Sequence, residues 1–371
     1  MIIDDINKKG WTKFVQKNSN YELENLSNYI NILEKKFRQE LEKRKDSNIS
    51  IEIFKSTLRS LVKISPESNN FLLQIAKKFV SENKKFEEYY VSYPYLLFHL
   101  PNDMEETGTL HTDTIKECGS SFTCWSPVNN YQLNYSPLTL IERTNNIFDL
   151  YLLKIFRKIF NHNKIFKIYY KNFKNIINLT PKLFESYIWD ADTIHVGNLN
   201  KGTKAHYAMT TKISEKPHLT EPSIKIKDFI TSQNLSDTVH EISYEELFST
   251  INKINNLILI FYKKNSITKN SDLLIDQLLE IKKTITTVDL INCISFAFSL
   301  IGYKQKDPKL ALLQYFASVF FLPKYLSSYH QVIMISNKES NFSYLEYLKK
   351  SSNLNEVFQK NFIEKYKKHL V

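Results

Sequence analysis

Apolar residues recur at three- and four-residue intervals through the first part of the chain. Leu23, Leu26, Ile30, Leu33, Phe37 and Leu41 mark one amphipathic helix over 20–45. Ile53, Phe54, Leu58, Leu61 and Val62 mark a second, which Pro66 stops, and a third is expected over 68–82. From 90 to 214 the pattern shortens. YLLFHLP, FTCWSPV, PLTLIER, SYIWDADTIHVG and AHYAMTTKIS are aromatic and β-branched, with Pro, Gly and Asn between them, and they predict strands. Residues 146–180, starting NIFDLYLLKIFRKIF, interrupt these strands with a helical insertion. Beyond Pro222 helical spacing returns in EELFSTINKINNLILIFY, DLLIDQLLEIKKTI and VDLINCISFAFSLIGY. The expectation is an α+β chain. Its first domain, 1–222, has helices in 1–89 packed on a strand region, 90–214, that carries the insertion, and its second, 223–371, is helical.

Within the helical part, ALLQYFASVFFL from Ala311 and SYLEYLKKSSNL from Ser343 align at a shift of 32 residues. Ala311, Ser318 and Pro323 resemble the small, small, proline spacing of a tetratricopeptide repeat (TPR). Ordinary helical hairpins account for the same residues equally well. Either version supplies paired helices and a surface for a protein partner rather than catalysis.

Composition narrows where chemistry can lie. Of six glycines, Gly108, Gly119, Gly197 and Gly202 fall in the middle of the chain with Trp125 and Trp189, so special backbone geometry concentrates there. With 42% hydrophobic and 24% charged positions in 371 residues the chain is not disordered. No apolar run approaches the roughly 20 residues of a membrane span. The start, MIIDDINKKGW, has acids where a signal peptide has a basic region, which leads to the expectation of a cytoplasmic protein with no membrane partner. Cys118, Cys124 and Cys293 are too few for a disulfide framework or a four-thiolate zinc site, and the first two read as buried thiols. The net charge of +11, from 50 Lys+Arg against 39 Asp+Glu, favours anionic ligands. The lysines are scattered among Asn and Ile, however, so a solvated surface explains them and no nucleic-acid partner is expected. Glycine-rich nucleotide loops and a nucleophile elbow are absent, which leaves nucleoside-triphosphatase, Rossmann and serine-hydrolase readings without support.

One constellation stands out. In TLHTDTIKEC, His111 and Asp113 are two residues apart and would project from one face of a strand. In WDADTIHVGNLNKG, His195 ends a strand before a turn built from Gly197, Asn198, Asn200 and Gly202. Asp190 and Asp192 belong to the approach to His195 rather than to a glycosidase pair. Two imidazoles and one carboxylate could fill one face of an octahedron and leave the opposite face open, an arrangement that suits non-haem Fe(II). A zinc hydrolase is the alternative among metals. Plainer readings stay open at this point: Asp113 paired with a surface His111, His195 structural at a strand end, Trp125 and Trp189 in the core, Asn134 in a turn. His99, His162, His218, His240, His330 and His369 show no partner pattern.

FHLPNDMEETGTLHTD, FTCWSPVNNYQLNYSPLTLIER and WDADTIHVGNLNKG together resemble the Fe(II)- and 2-oxoglutarate-dependent dioxygenases of the phytanoyl-CoA dioxygenase type. They are most similar to the bacterial group related to the streptomycin-biosynthesis protein StrG. The resemblance covers about 90–214 and rests on H-x-D, W-x-P-V, an Asn-containing turn and D-x-x-H-x-G-x-x-N. It implies a double-stranded β-helix, a jelly-roll barrel like that of the cupins, in which His111, Asp113 and His195 bind Fe(II). It also implies 2-oxoglutarate as cosubstrate and hydroxylation of a small polar or anionic metabolite, such as an intermediate of carbohydrate or antibiotic biosynthesis. Asp113 favours hydroxylation over halogenation, since halogenating relatives lack that carboxylate. The family carries an Arg about eleven residues after the distal His, and here that position is His206, which cannot supply the two parallel contacts of a guanidinium. The expectation is that His206 and Arg143 share the far carboxylate, with Lys204 and Lys212 nearby and Asn134 also at the cosubstrate. A different oxo acid, a pocket built from lysines, or a degenerate barrel serving with its helices as a protein-binding scaffold are the alternatives.

Overall fold

The computed structural model describes residues 2–15, 20–43, 51–101, 110–114, 118–129, 137–159, 174–183, 185–217, 223–233, 242–263, 271–285, 287–322, 326–339, 344 and 347. Two compact units emerge, one of Met1–Asn31 with Ser65–Asp237 and the other of Ile32–Ile64 with Thr238–Val371. This differs from a single cut after 222. Strand β10 (Ser223–Lys225) pairs with β2 (Tyr90–Ser92), and so the chain just beyond 222 belongs to the first unit.

The first unit opens with α1 (Ile2–Lys9) and β1 (Trp11–Val15). The expectation of helices alone over 1–89 is corrected here: Gly10, at φ +85°, turns the chain out of α1, and WTKFV adds to a sheet by pairing with β7 (Glu185–Asp190). Five residues are too short for a period to show. Helix α2 spans Asn20–Lys43 and α4 spans Pro66–Glu82. Pro66 does more than end the preceding helix, since it occupies the first turn of α4 behind Ser65, whose hydroxyl accepts the Ser68 N–H.

The remaining strands are β3 (Tyr95–His99), β4 (Ser121–Pro127), β5 (Leu138–Ile141), β6 (Ile176–Asn178), β8 (His195–Gly197) and β9 (His206–Ser214). They form two antiparallel sheets. The larger runs β1-β7-β4-β9-β2-β10 with β3 also on β9, and the smaller runs β6-β5-β8. Between 95 and 214 the chain alternates between them: β3 in the large sheet, a bridge at His111 on β8, β4 back in the large, β5 and β6 in the small, β7 large, β8 small, β9 large. That alternation is a double-stranded β-helix. Within the expected helical insertion α5 covers Ile147–Ile159, while β6, a three-residue edge strand, lies inside the 146–180 stretch, which is therefore not helical to its end; residues 160–173 fall outside those described.

Alternate residues point between the sheets. Trp125, Tyr187, Trp189 and Ala208 from the large sheet meet Leu138 and Leu140 from the small one, with Leu179, so both tryptophans are core residues. The Trp125 and Tyr187 rings pack edge to face at 5.9 Å.

The second unit is helical: it holds the later part of α2 and α3 (Ile51–Ile64) and then, beyond α6 (Ile226–Gln233) of the first unit, α7 (Tyr244–Lys263), α8 (Ser271–Lys283), α9 (Val288–Lys304), α10 (Pro308–Phe321) and α11 (Leu326–Glu339). Helix α3 is buried on all sides rather than on one stripe. Lys55 and Arg59 are 0% and 1% exposed, and Lys55 sits 3.4 Å from Glu52. Helix α10 is also buried throughout from Leu310 to Phe321. Ser295 and Ser318 each donate to the other's backbone carbonyl at 2.8 Å, joining α9 to α10. An open groove of about 790 Å³ runs between α7 and α8 past Lys253, Leu257, Ile260, Gln277 and Ile281. Ala311 and Ser318 lie in α10, whereas Pro323 and, apart from Tyr344 and Tyr347, the aligned segment from Ser343 fall outside the described residues.

Candidate metal centre

The centre is built by backbone pairing. His111 and His195 exchange both N–H···O=C bonds at 2.9 Å, which makes them a hydrogen-bonded antiparallel pair with their side chains on one face. Their ring centroids are 4.2 Å apart. Two residues on, the Asp113 N–H donates to the Ala191 carbonyl at 2.9 Å, so the H-x-D segment stays extended and Asp113 falls on the same face as His111. On its other side His195 is held by β5, where it registers with Leu140. Ligand atoms of His111, Asp113 and His195 all lie within 4.8 Å of one another, although 82 positions separate the last two in sequence.

Each ligand is oriented by a neighbour. His195 Nδ1 donates to the Thr193 carbonyl at 3.0 Å, which places the proton there and turns the Nε2 lone pair toward Asp113 Oδ2, 3.5 Å away. Thr193 is itself tied down, its hydroxyl donating to the Gly10 carbonyl at 2.8 Å. The Trp189 ring packs beside His195 at 5.2 Å. Thr123 donates its hydroxyl to Asp113 Oδ2 at 2.7 Å, and the Lys212 ammonium lies 3.7 Å from Oδ1.

These surroundings set the charges. Burial pushes the His195 pKa down to about 4; the Asp113 carboxylate opposes the shift without overcoming it. Burial would raise Asp113, but the positive charge of protonated His195, that of Lys212, the Thr123 hydrogen bond and His111 outweigh it and hold the acid at about 2. At neutral pH the centre therefore offers an ionised carboxylate and, at His195, a neutral imidazole lone pair, both in the form a divalent metal requires. The donors fit such an ion: mixed nitrogen and oxygen, with the partly exposed His111 and Asp113 leaving a side open.

The expected cosubstrate residues are dispersed. His206 is fully buried at the start of β9, on the inward face it shares with Ala208 and Lys212. It registers with His99 on β3, also buried, so two imidazole-bearing positions are neighbours on one face. The flanks of His206 are clamped by amides. Asn129 donates to the Ala205 carbonyl at 3.1 Å and accepts from the Tyr207 N–H at 2.8 Å, while Asn200 donates to the His99 and Lys204 carbonyls at 2.6 and 2.8 Å. Lys204 itself is exposed in the preceding turn. Arg143 does not lie on a strand: β5 ends at Ile141, and Arg143 sits exposed in the next turn at φ +57°, its N–H donating to the Lys9 carbonyl. Asn134 lies outside the described residues. Asn200, the last residue of D-x-x-H-x-G-x-x-N, and Lys212 are within reach of sequence reasoning, whereas His99 and Thr123 reach the site through strand register and Asn129 through the turn after β4, which no local motif signals.

No family model matches the chain, and no curated protein matches it. Several solved structures are similar to part of the chain. AviO1 from Streptomyces viridochromogenes Tue57 is 9% identical over 60% of this chain and 96% of its own, at a TM-score of 0.39. The epimerase SnoN, in complex with Fe3+, alpha ketoglutarate and nogalamycin RO, is 9% identical over 58% and 85%, at 0.35. EvdO2 from Micromonospora carbonacea var. aurantiaca, complexed with 2-oxoglutarate, is 10% identical over 60% and 90%, at 0.33. Identities and overlaps are low, and the chemistry of the centre is read from its own side chains.

Proposed function

We propose that the first unit is a non-haem Fe(II)- and 2-oxoglutarate-dependent oxygenase that hydroxylates a small polar or anionic metabolite in the cytoplasm. The observation that carries this is the convergence of His111, Asp113 and His195 with the His195 tautomer set by the Thr193 carbonyl. Bound there, ferrous iron with 2-oxoglutarate and dioxygen supplies the oxidation: the oxo acid leaves as succinate and CO2, and a substrate C–H becomes C–OH. The chain's own residues do the positioning. Asp113 brings the negative charge, Thr123 holds that carboxylate in place, Thr193 keeps the His195 Nε2 free of its proton, and His206 takes part in holding the oxo acid.

The test is anaerobic. Fe(II) followed by 2-oxoglutarate should produce a visible charge-transfer absorption, lost in His111→Ala and Asp113→Ala variants that keep the unfolding profile of the parent. Turnover should yield succinate only with iron. Retention of zinc with no response to any 2-oxo acid would reject the reading.

A second reading, a non-catalytic barrel whose helical unit recruits a protein, draws on the groove between α7 and α8 and the half-exposed Ile260 within it. It predicts no succinate under any substrate and tight partner binding through residues 225–371.

A further inference from the structure

Lys212 is placed oddly for a structural cation. Its ammonium is 3.7 Å from Asp113 Oδ1, beyond hydrogen-bond length for a charge-assisted pair, while the close contact to the same carboxylate is the 2.7 Å bond from Thr123 to Oδ2. Thr123 and Lys212 are direct partners across β4 and β9, so they flank Asp113 from adjacent strands and from the same inward face. The lysine side chain keeps 27% of its surface open to solvent and Asp113 18%, which puts the ammonium at the accessible edge of the centre rather than in its core.

A divalent ion bound by Asp113 would take over the carboxylate's negative charge. Lys212 would then lose most of its attraction to Oδ1 and stand at the open edge of the centre on a flexible stem, Asp113 being its one carboxylate partner among the described residues. With the oxo acid chelated as well the metal centre is close to neutral, so the lysine carries the positive charge at the solvent-open side, and it meets a compact oxyanion as a point charge without demanding a fork geometry. We infer that Lys212 is a specificity-determining residue that docks a phosphate or carboxylate group of the organic substrate next to the metal. This rests on the oxygenase reading and adds the charge class of the substrate to it.

The experiment uses the full chain loaded with Co(II) and saturated with 2-oxoglutarate, titrated with methyl phosphate and, separately, with acetate. Binding is followed by calorimetry and by the visible absorption of the ion. Lys212→Met should weaken one or both probes about tenfold and Lys212→Arg should restore most of that, the stronger probe identifying the group. Co(II) should bind Lys212→Met at least as tightly as the parent, since a competing positive charge is gone. Unchanged probe affinities in Lys212→Met overturn the inference. So does a loss confined to 2-oxoglutarate when it is titrated by itself into the Co(II)-loaded chain, which assigns the lysine to the cosubstrate, and so does a weakened Co(II) affinity, which makes it a structural support for Asp113. Failure of the parent to bind Co(II) at all would overturn the oxygenase reading as well, so the two failures are distinguishable.

Discussion

Replacing His195 with Gln should flatten a specific part of the pH dependence of stability in chelator-treated protein. In the folded chain burial keeps the imidazole neutral down to about pH 4, against an ordinary value of 6.5. Because the folded pKa is the lower, the unfolded chain binds the extra proton, and stability is lost as pH falls from 6.5 toward 4 and levels off below. Linkage puts the loss between pH 7 and pH 5 at about 2 kcal/mol. Asp113, held at about 2, is ionised in both states across that window and contributes almost nothing there. The assay is urea unfolding followed by tryptophan fluorescence at several pH values. All three tryptophans, Trp11, Trp125 and Trp189, belong to the first unit, so the signal reports that unit alone. The difference in slope between parent and His195→Gln is the readout, since groups common to both cancel. Equal slopes would refute the claim that burial keeps this ligand unprotonated.

Three other substitutions probe the supports. Thr123→Val keeps the shape and removes the hydrogen bond to Asp113, so Fe(II) or Co(II) affinity should fall about 10- to 100-fold in a metal titration with little change in fold. Gly10→Ala forces a side chain onto a backbone at φ +85° with its Cβ 2.8 Å from Thr193 Oγ1; about 1–3 kcal/mol of stability should be lost in urea unfolding, with weaker metal binding because Thr193 orients His195. Asn129→Ala leaves the Tyr207 N–H and the Ala205 carbonyl without their amide partner, which should cost about 1–3 kcal/mol by the same assay and raise the KM for the oxo acid more than it lowers kcat.

Much of the centre could be read from local spacing, and its supports could not. H-x-D works as a motif because alternation on an extended segment is a property of three consecutive residues, and the turn after His195 is written in Gly197, Asn198, Asn200 and Gly202. Helices α3 and α4 announce themselves because a 3.6-residue period repeats several times within each. Lys55 and Arg59 look like the wet face of α3, yet they are buried, since periodicity tells which residues are apolar but not how many neighbours a helix has. His99 beside His206, and Lys212 beside Thr123, exist only once β3, β4 and β9 are in register. Their partners are far apart in the chain, and a shift of one residue would turn each to the opposite face. The strands β1 and β6 were hidden by their brevity.

Pairing Trp11 with Trp189 also has a consequence for the order in which the polypeptide is made. Strand β1 belongs at the rim of a sheet whose receiving edge, β7, begins 170 residues further along the chain, from Val15 to Glu185. Until that edge is made WTKFV must wait without its ladder, and the Gly10 carbonyl has neither Thr193 nor the Asp190 N–H to accept. Assembly of the barrel is therefore dominated by a long-range closure, a topology that folds slowly. An amino-terminal fragment released early would carry an unsatisfied strand edge, and Lys13, later matched by Glu185, is the charge that discourages it from pairing with another nascent chain.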